Sequence, residues 1–305
     1  MPIASLPQFP DFQPLTLEHR DLIQPRLWAY QPETSELTFT NLFIWRRPHG
    51  LSWCLMGEHL LLLSRPTPGE LHVWPPVGPS PRLPVVRRFF EWLKEEQGQP
   101  APVLSRADGR LAQELAGAPE FEITPEREHF DYLYATADLI QLAGRRFHDK
   151  RNHVNAFRRA HQFTYEPLTE AHLPACRELA DAWCRIRRCE EDLGLAGEWE
   201  AVREALEHFT ALELTGGLLL VDSRVVAFTL GELLNRETVV IHIEKADPEL
   251  RGAYAVINQQ FLQHAWAQVP FVNREQDLGE PGLRTAKLSY NPVRLVEKFQ
   301  VRLKD

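Results

Sequence analysis

Apolar and polar positions follow two different styles along the chain. Up to about residue 105, short apolar runs (Leu37–Trp45, Leu51–Met56, His59–Ser64, Glu70–Trp74) are separated by turn-forming residues, the pattern of short strands. The stretch Leu83–Glu96 then carries Val86, Phe89, Phe90 and Leu93 at helical spacing. Strands mixed with helices predict an α+β fold. The run Phe130–Leu142 stays apolar and gives way to a basic segment at Gly144, so the domain boundary is expected there, dividing the chain into 1–143 and 144–305. The second half is easier to read. Phe163–Leu168 predicts a strand and Glu170–Asp192 a long helix. Glu198–Leu214 predicts a second helix, with Val202, Leu206, Phe209 and Leu212 on one face and Gly216-Gly217 as its stop. Three strands in meander spacing follow, Leu218–Val221, Val225–Leu234 and Thr238–Lys245. A helix over Gly252–Gln268, a short strand at Phe271–Asn273, a charged loop with a short helix, and a last strand or hairpin arm at Arg294–Leu303 complete the order.

Composition narrows the classes. A chain of 305 residues with 44% apolar and 25% charged side chains is globular and long enough for about two domains, which excludes disorder and fibre. Sixteen of the 24 prolines precede residue 106, so the halves are built differently. The net charge of −8 argues against coating a polynucleotide or an anionic membrane with the whole surface. Divided at residue 143, however, that charge becomes −6 and −2, and the second part contains a run, 144–161, of net +5. Apolar stretches such as Leu60–Leu63 and Gly217–Val221 fall far short of the roughly 18 residues that span a bilayer. The start, MPIASLPQFPDFQP, lacks the charged and apolar regions of a secretion signal, so a cytoplasmic location is expected. Cys54, Cys176, Cys184 and Cys189 include no C-x-x-C pair. Cys184 and Cys189 lie about 500° apart on one predicted helix, so buried, reduced thiols are expected. His19 and His49 show no ligand spacing, and no metal site is expected. Trp28, Tyr30 and Phe39–Trp45 are read as core rather than as a platform for bases.

Three segments carry chemistry. Glu244–Tyr254 joins a strand to a helix, where backbone N–H groups and the helix dipole favour an anion, and Arg251-Gly252 is its basic, glycine-containing element. A plain turn is the alternative. The run Gly144–His161 contains Lys150, Arg151, Asn152, Asn155 and Arg158, groups suited to holding phosphates of a donor, against the alternative of a solvated helix face. Asn273–Tyr290 is the densest of the three: Asn273, Arg274, Glu275 and Asp277 follow a short strand, and Arg284, Lys287 and Tyr290 follow at three-residue spacing, on one face if the segment is helical. An internal salt-bridge network is the alternative there.

The element order β-α-α-β-β-β-α-β-(α)-β resembles the GCN5-related N-acyltransferase (GNAT) fold. The stretch Lys150–Arg159, followed by a strand, resembles the basic helix that opens the second lobe of Fem-type peptidoglycan aminoacyltransferases and the catalytic half of phosphatidylglycerol lysyltransferases. Ser35–Trp45, the basic run, Asn273–Gly279 and Gly282–Tyr290 together resemble an uncharacterised bacterial family grouped with that lysyltransferase C-terminal domain. The resemblance implies two tandem GNAT-like lobes, each a mixed, mostly antiparallel sheet flanked by helices, with the first degenerate and the second carrying the cleft. It also implies an aminoacyl-tRNA or acyl-CoA co-substrate, no tightly bound cofactor, and an amine, peptide or lipid acceptor. The membrane-spanning half of the lysyltransferases has no counterpart here. In such a cleft the end of the Asn273 strand faces Glu244. Glu244 or Glu275 would be the base, Lys287 or Arg274 the charge stabiliser, and Tyr290 the acid. Two rivals stand beside acyl or aminoacyl transfer. One is a non-catalytic protein that uses the cleft for a small anion or nucleic acid. The other is an acetyl-CoA enzyme, which predicts unused backbone N–H groups at Leu250–Ala253.

Overall fold

The computed structural model describes residues 6–66 and 71–304; Glu70, the start of one expected apolar run, lies outside them. In the first half the elements are β1 (Gln13–Pro14), α1 (Arg20–Tyr30), α2 (Phe39–Ile44), β2 (Ser52–Met56), β3 (His59–Ser64), β4 (His72–Val73), α3 (Leu83–Glu95), β5 (Val103–Asp108), α4 (Gly109–Leu115) and β6 (Phe121–Pro125). Then follow β7 (Asp131–Ala135), α5 (Thr136–Gln141), α6 (His148–Ala160), β8 (Phe163–Pro167), α7 (Leu173–Arg187) and α8 (Leu193–Glu207). The chain ends with β9 (Thr215–Val221), β10 (Arg224–Asn235), β11 (Thr238–Ala246), α9 (Ala253–Ala265), β12 (Phe271–Asn273), α10 (Pro281–Leu288), β13 (Arg294–Val296) and β14 (Lys298–Leu303).

Two sheets result, in the orders β1-β2-β3-β4-β5-β14-β6 and β8-β9-β10-β11-β12-β7-β13. Both are mostly antiparallel, with one parallel pair each among the registers of the described residues. In the first sheet β4 pairs with β5 through His72 and Val103; in the second β11 pairs with β12 through Thr238 and Phe271. The two sheets are therefore repeats of one plan, the tandem GNAT-like α+β architecture. In the first, α3 lays Val86, Phe89, Phe90 and Leu93 against Cys54, Leu61 and Leu63. In the second, α9 lays Val256, Ile257, Phe261 and Leu262 against the sheet residues Val226, Val239 and Val272.

Three expectations change. The run Leu37–Trp45 holds a helix rather than a strand, because Thr38 caps it, its hydroxyl accepting the Asn41 N–H at 3.1 Å. All six residues of α2 are buried, so its alternation carries no face signal. The compact units divide at Phe130/Asp131 rather than at 143/144, and the chain from Val296 onward returns to the first unit. The reason is β7, whose Leu133 and Tyr134 pair with Asn273 and Val272 of β12. The arm Arg294–Leu303 is accordingly two strands, and β14 inserts between β5 and β6. Lastly, α7 stops at Arg187 because Arg188 turns left-handed (φ 53°), which brings the Cα atoms of Cys184 and Cys189 to 5.2 Å, joined as a disulfide. The helical angle between them does not apply, since the second cysteine lies beyond the helix. Cys54 and Cys176 are free and buried, and burial pushes both thiols up to about 12.

Candidate active site

The parallel pairing of β11 with β12 lasts three residues, Thr238–Val240 against Phe271–Asn273, while β11 runs on to Ala246. The strands part because Asn273 ends the pairing. Its Nδ2 donates to Asp131 Oδ2 at 3.0 Å, its Oδ1 accepts the Glu275 N–H at 2.8 Å, and Glu275 adopts a left-handed φ of 55°. The Arg274 side chain fills the opening. Its Nη2 donates to Glu244 Oε1 at 2.9 Å, and Glu244 Oε2 accepts from Asn258 Nδ2 at 3.2 Å. The guanidinium carbon lies 4.9 Å from the Tyr290 ring centre and 6.0 Å from that of Tyr134. Arg274 Nη1 is buried with no hydrogen-bond partner, although only 14% of the side chain is exposed. Glu244 and Tyr290 therefore meet through Arg274 rather than across an empty groove. Burial pushes Tyr290 up to about 12; the Arg274 charge works against the shift and that of Glu244 with it. The phenol therefore keeps its proton at neutral pH. Lys150 Nζ sits 4.1 Å over the same ring, and burial, then Arg274, lower its pKa.

The helix α10 closes the other side through polar ties. Asp277 is fully buried and accepts from Arg284 Nε and Nη2, both at 2.9 Å, from the Tyr132 hydroxyl at 2.5 Å and from the Gly279 N–H at 2.9 Å. Burial alone would raise its carboxyl; the Arg284 and Tyr132 hydrogen bonds overcome that and hold it well below the usual carboxylate range. Lys287 Nζ donates to the Arg274 and Gln276 carbonyls at 2.6 and 2.5 Å, and burial lowers it to about 8 against the opposing charge of Glu275. Tyr290 stands two residues beyond α10, so the expected single face of Arg284, Lys287 and Tyr290 is a turn of helix plus the chain after it.

Sequence reasoning missed His242, whose Nε2 lies 3.0 Å from Glu232 Oε1 and whose Nδ1 lies 2.9 Å from Glu275 Oε1. It also missed Tyr132, Tyr134 and Asn258. The signal available for His242 was its position two residues before Glu244, interrupting the apolar run Val239–Ile243.

The donor-binding candidates are distributed differently. Arg151 Nη1 donates to the carbonyls of Leu142 and Gly144, closing the end of α5. Asn152 pairs with His148 at 3.2 Å, Arg158 reaches Gln259 Oε1 at 3.3 Å, and Asn155 is exposed. Arg146 meets Asp138 at 2.8 Å. Lys150 faces Tyr290, and the outward cations of the basic run are Arg145, Arg146, Arg158 and Arg159. Arg251 is exposed, and Gly252 is left-handed (φ 95°) where a Cβ would stand 2.4 Å from the His153 carbonyl oxygen. In that turn the Glu249 N–H goes to Asp247 Oδ1, the Leu250 N–H to the Asp247 carbonyl and the Ala253 N–H to the Leu250 carbonyl. Two of the four N–H groups expected to be unused at Leu250–Ala253 are thus spent. Among the described residues no His, Cys, Asp or Glu cluster suits a metal ion, and no helix is long and apolar enough to cross a membrane.

Known proteins resemble this chain in sequence or in fold. A conserved protein of unknown function from Bacteroides thetaiotaomicron is 35% identical, with a TM-score of 0.89, over 96% of this chain and 99% of its own. The C-terminal domain of an assigned lysylphosphatidylglycerol synthetase from Agrobacterium fabrum superposes with a TM-score of 0.65 at 12% identity, over 94% and 92% of the two chains. FemX superposes with a TM-score of 0.59 at 10% identity, over 95% and 96%. These last two are likenesses of fold alone. An uncharacterized protein of Mycoplasmoides gallisepticum is 24% identical over 57% of this chain, which spans 56% of that relative's length. Residues 29–302 match the family described as phosphatidylglycerol lysyltransferase, C-terminal, and the chain belongs to that family.

Proposed function

We propose that this protein is an aminoacyltransferase of the GNAT type, moving an aminoacyl group from the ester of an aminoacyl-tRNA to an amine or lipid hydroxyl, with the reaction centre where β11 and β12 part. One observation carries the reading: Arg274, Tyr290 and Lys287 converge there, and the buried Arg274 Nη1 has no partner of its own. That N–H is the natural donor to a tetrahedral oxyanion, which is stabilised far more in a dry site than in water. Glu244 has both oxygens engaged, so it fits holding Arg274 better than taking a proton.

In the transfer the acceptor lone pair attacks the ester carbon, and the carbon–oxygen bond to the donor breaks. Tyr290 protonates the leaving hydroxyl oxygen, and the acceptor's proton returns to the phenolate. Lys287 holds the Arg274 and Gln276 carbonyls, and so keeps Arg274 aimed. Arg145, Arg158 and Arg159 would take donor phosphates. Acyl-CoA is the less favoured donor, because the turn before α9 spends backbone N–H groups on itself.

The test is transfer from lysyl-tRNA and alanyl-tRNA carrying a labelled amino acid to phosphatidylglycerol vesicles or to a free amine, beside acetyl-CoA. Labelled product from a charged tRNA, lost in Arg274→Ala, is the expected result. Binding of donor without transfer to either acceptor would instead favour the non-catalytic binder and sink the reading.

A further inference from the structure

The Glu232–His242–Glu275 cluster stands beside the reaction centre and takes no part in the chemistry above. His242 is the extra residue of a β-bulge: Leu230 of β10 pairs with Ile243 and Gly231 with Ile241, leaving His242 between them. The bulge is built into the sequence at Gly231, where a Cβ would lie 2.5 Å from the Val240 carbonyl oxygen. It aims the ring so that each nitrogen meets a carboxylate, Glu232 Oε1 at 3.0 Å from β10 and Glu275 Oε1 at 2.9 Å from the turn after β12. A neutral imidazole has one N–H and one lone pair, and an ionised carboxylate can only accept. Two ionised partners therefore require two N–H groups and an imidazolium ring. Only 1% of the His242 side chain is exposed, so water cannot substitute for either partner. Glu232 from β10 and Glu275 from the turn after β12 are the charged groups that act on it most strongly.

Glu275 is the hinge of the turn that matters. Its left-handed backbone follows Arg274 directly, and its carbonyl accepts the Tyr132 N–H at 3.2 Å. The carbonyls on either side of it, Arg274 and Gln276, hold Lys287. A non-glycine residue in that conformation persists only where its surroundings fix it. We infer that His242 is a positioning residue, a buried imidazolium that clamps the Glu275 carboxylate to β10 and thereby fixes the turn Asn273–Asp277 that presents Arg274 and Lys287. Its rate readout rests on the proposed transfer; its structural readouts do not. Burial alone would lower the ring pKa; the hydrogen bonds to Glu232 and then Glu275 reverse this and raise it to about 9, in keeping with a lasting charge.

Nitrogen-15 NMR of the histidine rings tests the charge. Both His242 nitrogens are expected to carry protons at pH 8. A neutral His242 ring at pH 7 overturns the inference. Hydrogen exchange of residues 273–277 in His242→Gln tests the clamp, and faster exchange there, with β9 and β10 unchanged, is expected. Unchanged exchange overturns it. Where His242→Gln fails to fold, Glu275→Gln keeps the test, since His242 retains Glu232; the same local loss is expected and its absence is equally fatal. With a working transfer assay, His242→Gln should lower kcat by about 10- to 100-fold, the scale of a small misalignment of reacting groups, with donor KM within about threefold. His242→Lys, which keeps a cation between the carboxylates, should recover most of kcat. If the wild-type protein transfers nothing, the proposed function fails while the NMR and exchange results still decide the role of His242.

Discussion

Arg274 is anchored on one side only. Nη2 is committed to Glu244, the guanidinium lies against Tyr290 and interacts with its hydroxyl, and Nη1 is buried without a well-formed hydrogen bond. An unmet buried donor costs on the order of 1–3 kcal/mol, a cost a substrate oxygen would remove. Arg274→Ala should lower kcat for transfer by about 10²- to 10³-fold, the scale of losing one oxyanion donor, and Arg274→Lys should recover little, since one ammonium cannot serve Glu244 and the oxyanion with a planar fork. Lys287 gives a prediction in pH. Its folded value, about 8, lies below the ordinary 10.5. Between these values the unfolded chain holds a proton that the folded chain lacks, so this residue contributes stability that increases as pH rises through the window. His242 works in the opposite sense, because its folded value of about 9 lies above 6.5 and its contribution fades as pH rises across that range. Urea midpoints of the wild type and Lys287→Met at pH 7.5, 9 and 10 separate the two. The wild type should gain on the variant with each step, and a constant gap would show that Lys287 is not desolvated.

At the scale of elements, α6 and α9 depend on a single glycine. Gly252 is left-handed and has the His153 carbonyl of α6 where a Cβ would go, with Phe157 Cβ at 3.2 Å. Gly252→Ala combines backbone strain with a backbone clash and should destabilise by about 1–3 kcal/mol. A differential melting curve should show a Tm lower by several degrees; an unchanged Tm would mean that α6 and α9 can separate without cost. The same pair explains what the sequence made legible. Val154 and Phe157 are the buried residues of α6, the helix that the resemblance of Lys150–Arg159 implied. Which cations on it are outward could not be read, because Arg151 is drawn to carbonyls at the end of α5 and Lys150 to a ring 140 residues away. Strands β9 to β12 were legible to within a few residues, since alternation and turn residues are local. The charged segment after β12 was legible as a dense group of polar residues, but the link to His242 was not, because its partners arrive by sheet pairing. The helix α2 was misread for the complementary reason: burial on every side erases the period that distinguishes helix from strand.

At the scale of the whole chain, the two sheets share one plan and each is completed by a strand from elsewhere. β7, which closes the first half in sequence, lies against β12 in the second sheet, and β14, from the end of the chain, lies between β5 and β6 in the first. A boundary drawn from composition misses this, since strand exchange leaves no mark on local periodicity. The exchange has an energetic consequence. β14 is internal to its sheet: Val301 is fully buried, and Lys298, also fully buried, pairs with Glu36 at 2.7 Å. Removing residues 297–305 would strip a ladder from both β5 and β6 and leave the Glu36 carboxylate buried without that cation, while β9 to β12 keep every strand partner. Glu36 keeps Arg106 at 3.7 Å, so the loss of Lys298 is partly offset and the two stripped ladders carry most of the cost. Hydrogen exchange followed by mass spectrometry should then show Val103–Asp108 and Phe121–Pro125 losing protection in the truncated chain, with Arg224–Ala246 still protected. The single variant Lys298→Met should give a milder form of the same pattern. Loss of protection spread evenly over both sheets would instead mean that the two units fold only together, and would remove the basis for treating the second as the self-sufficient carrier of the site.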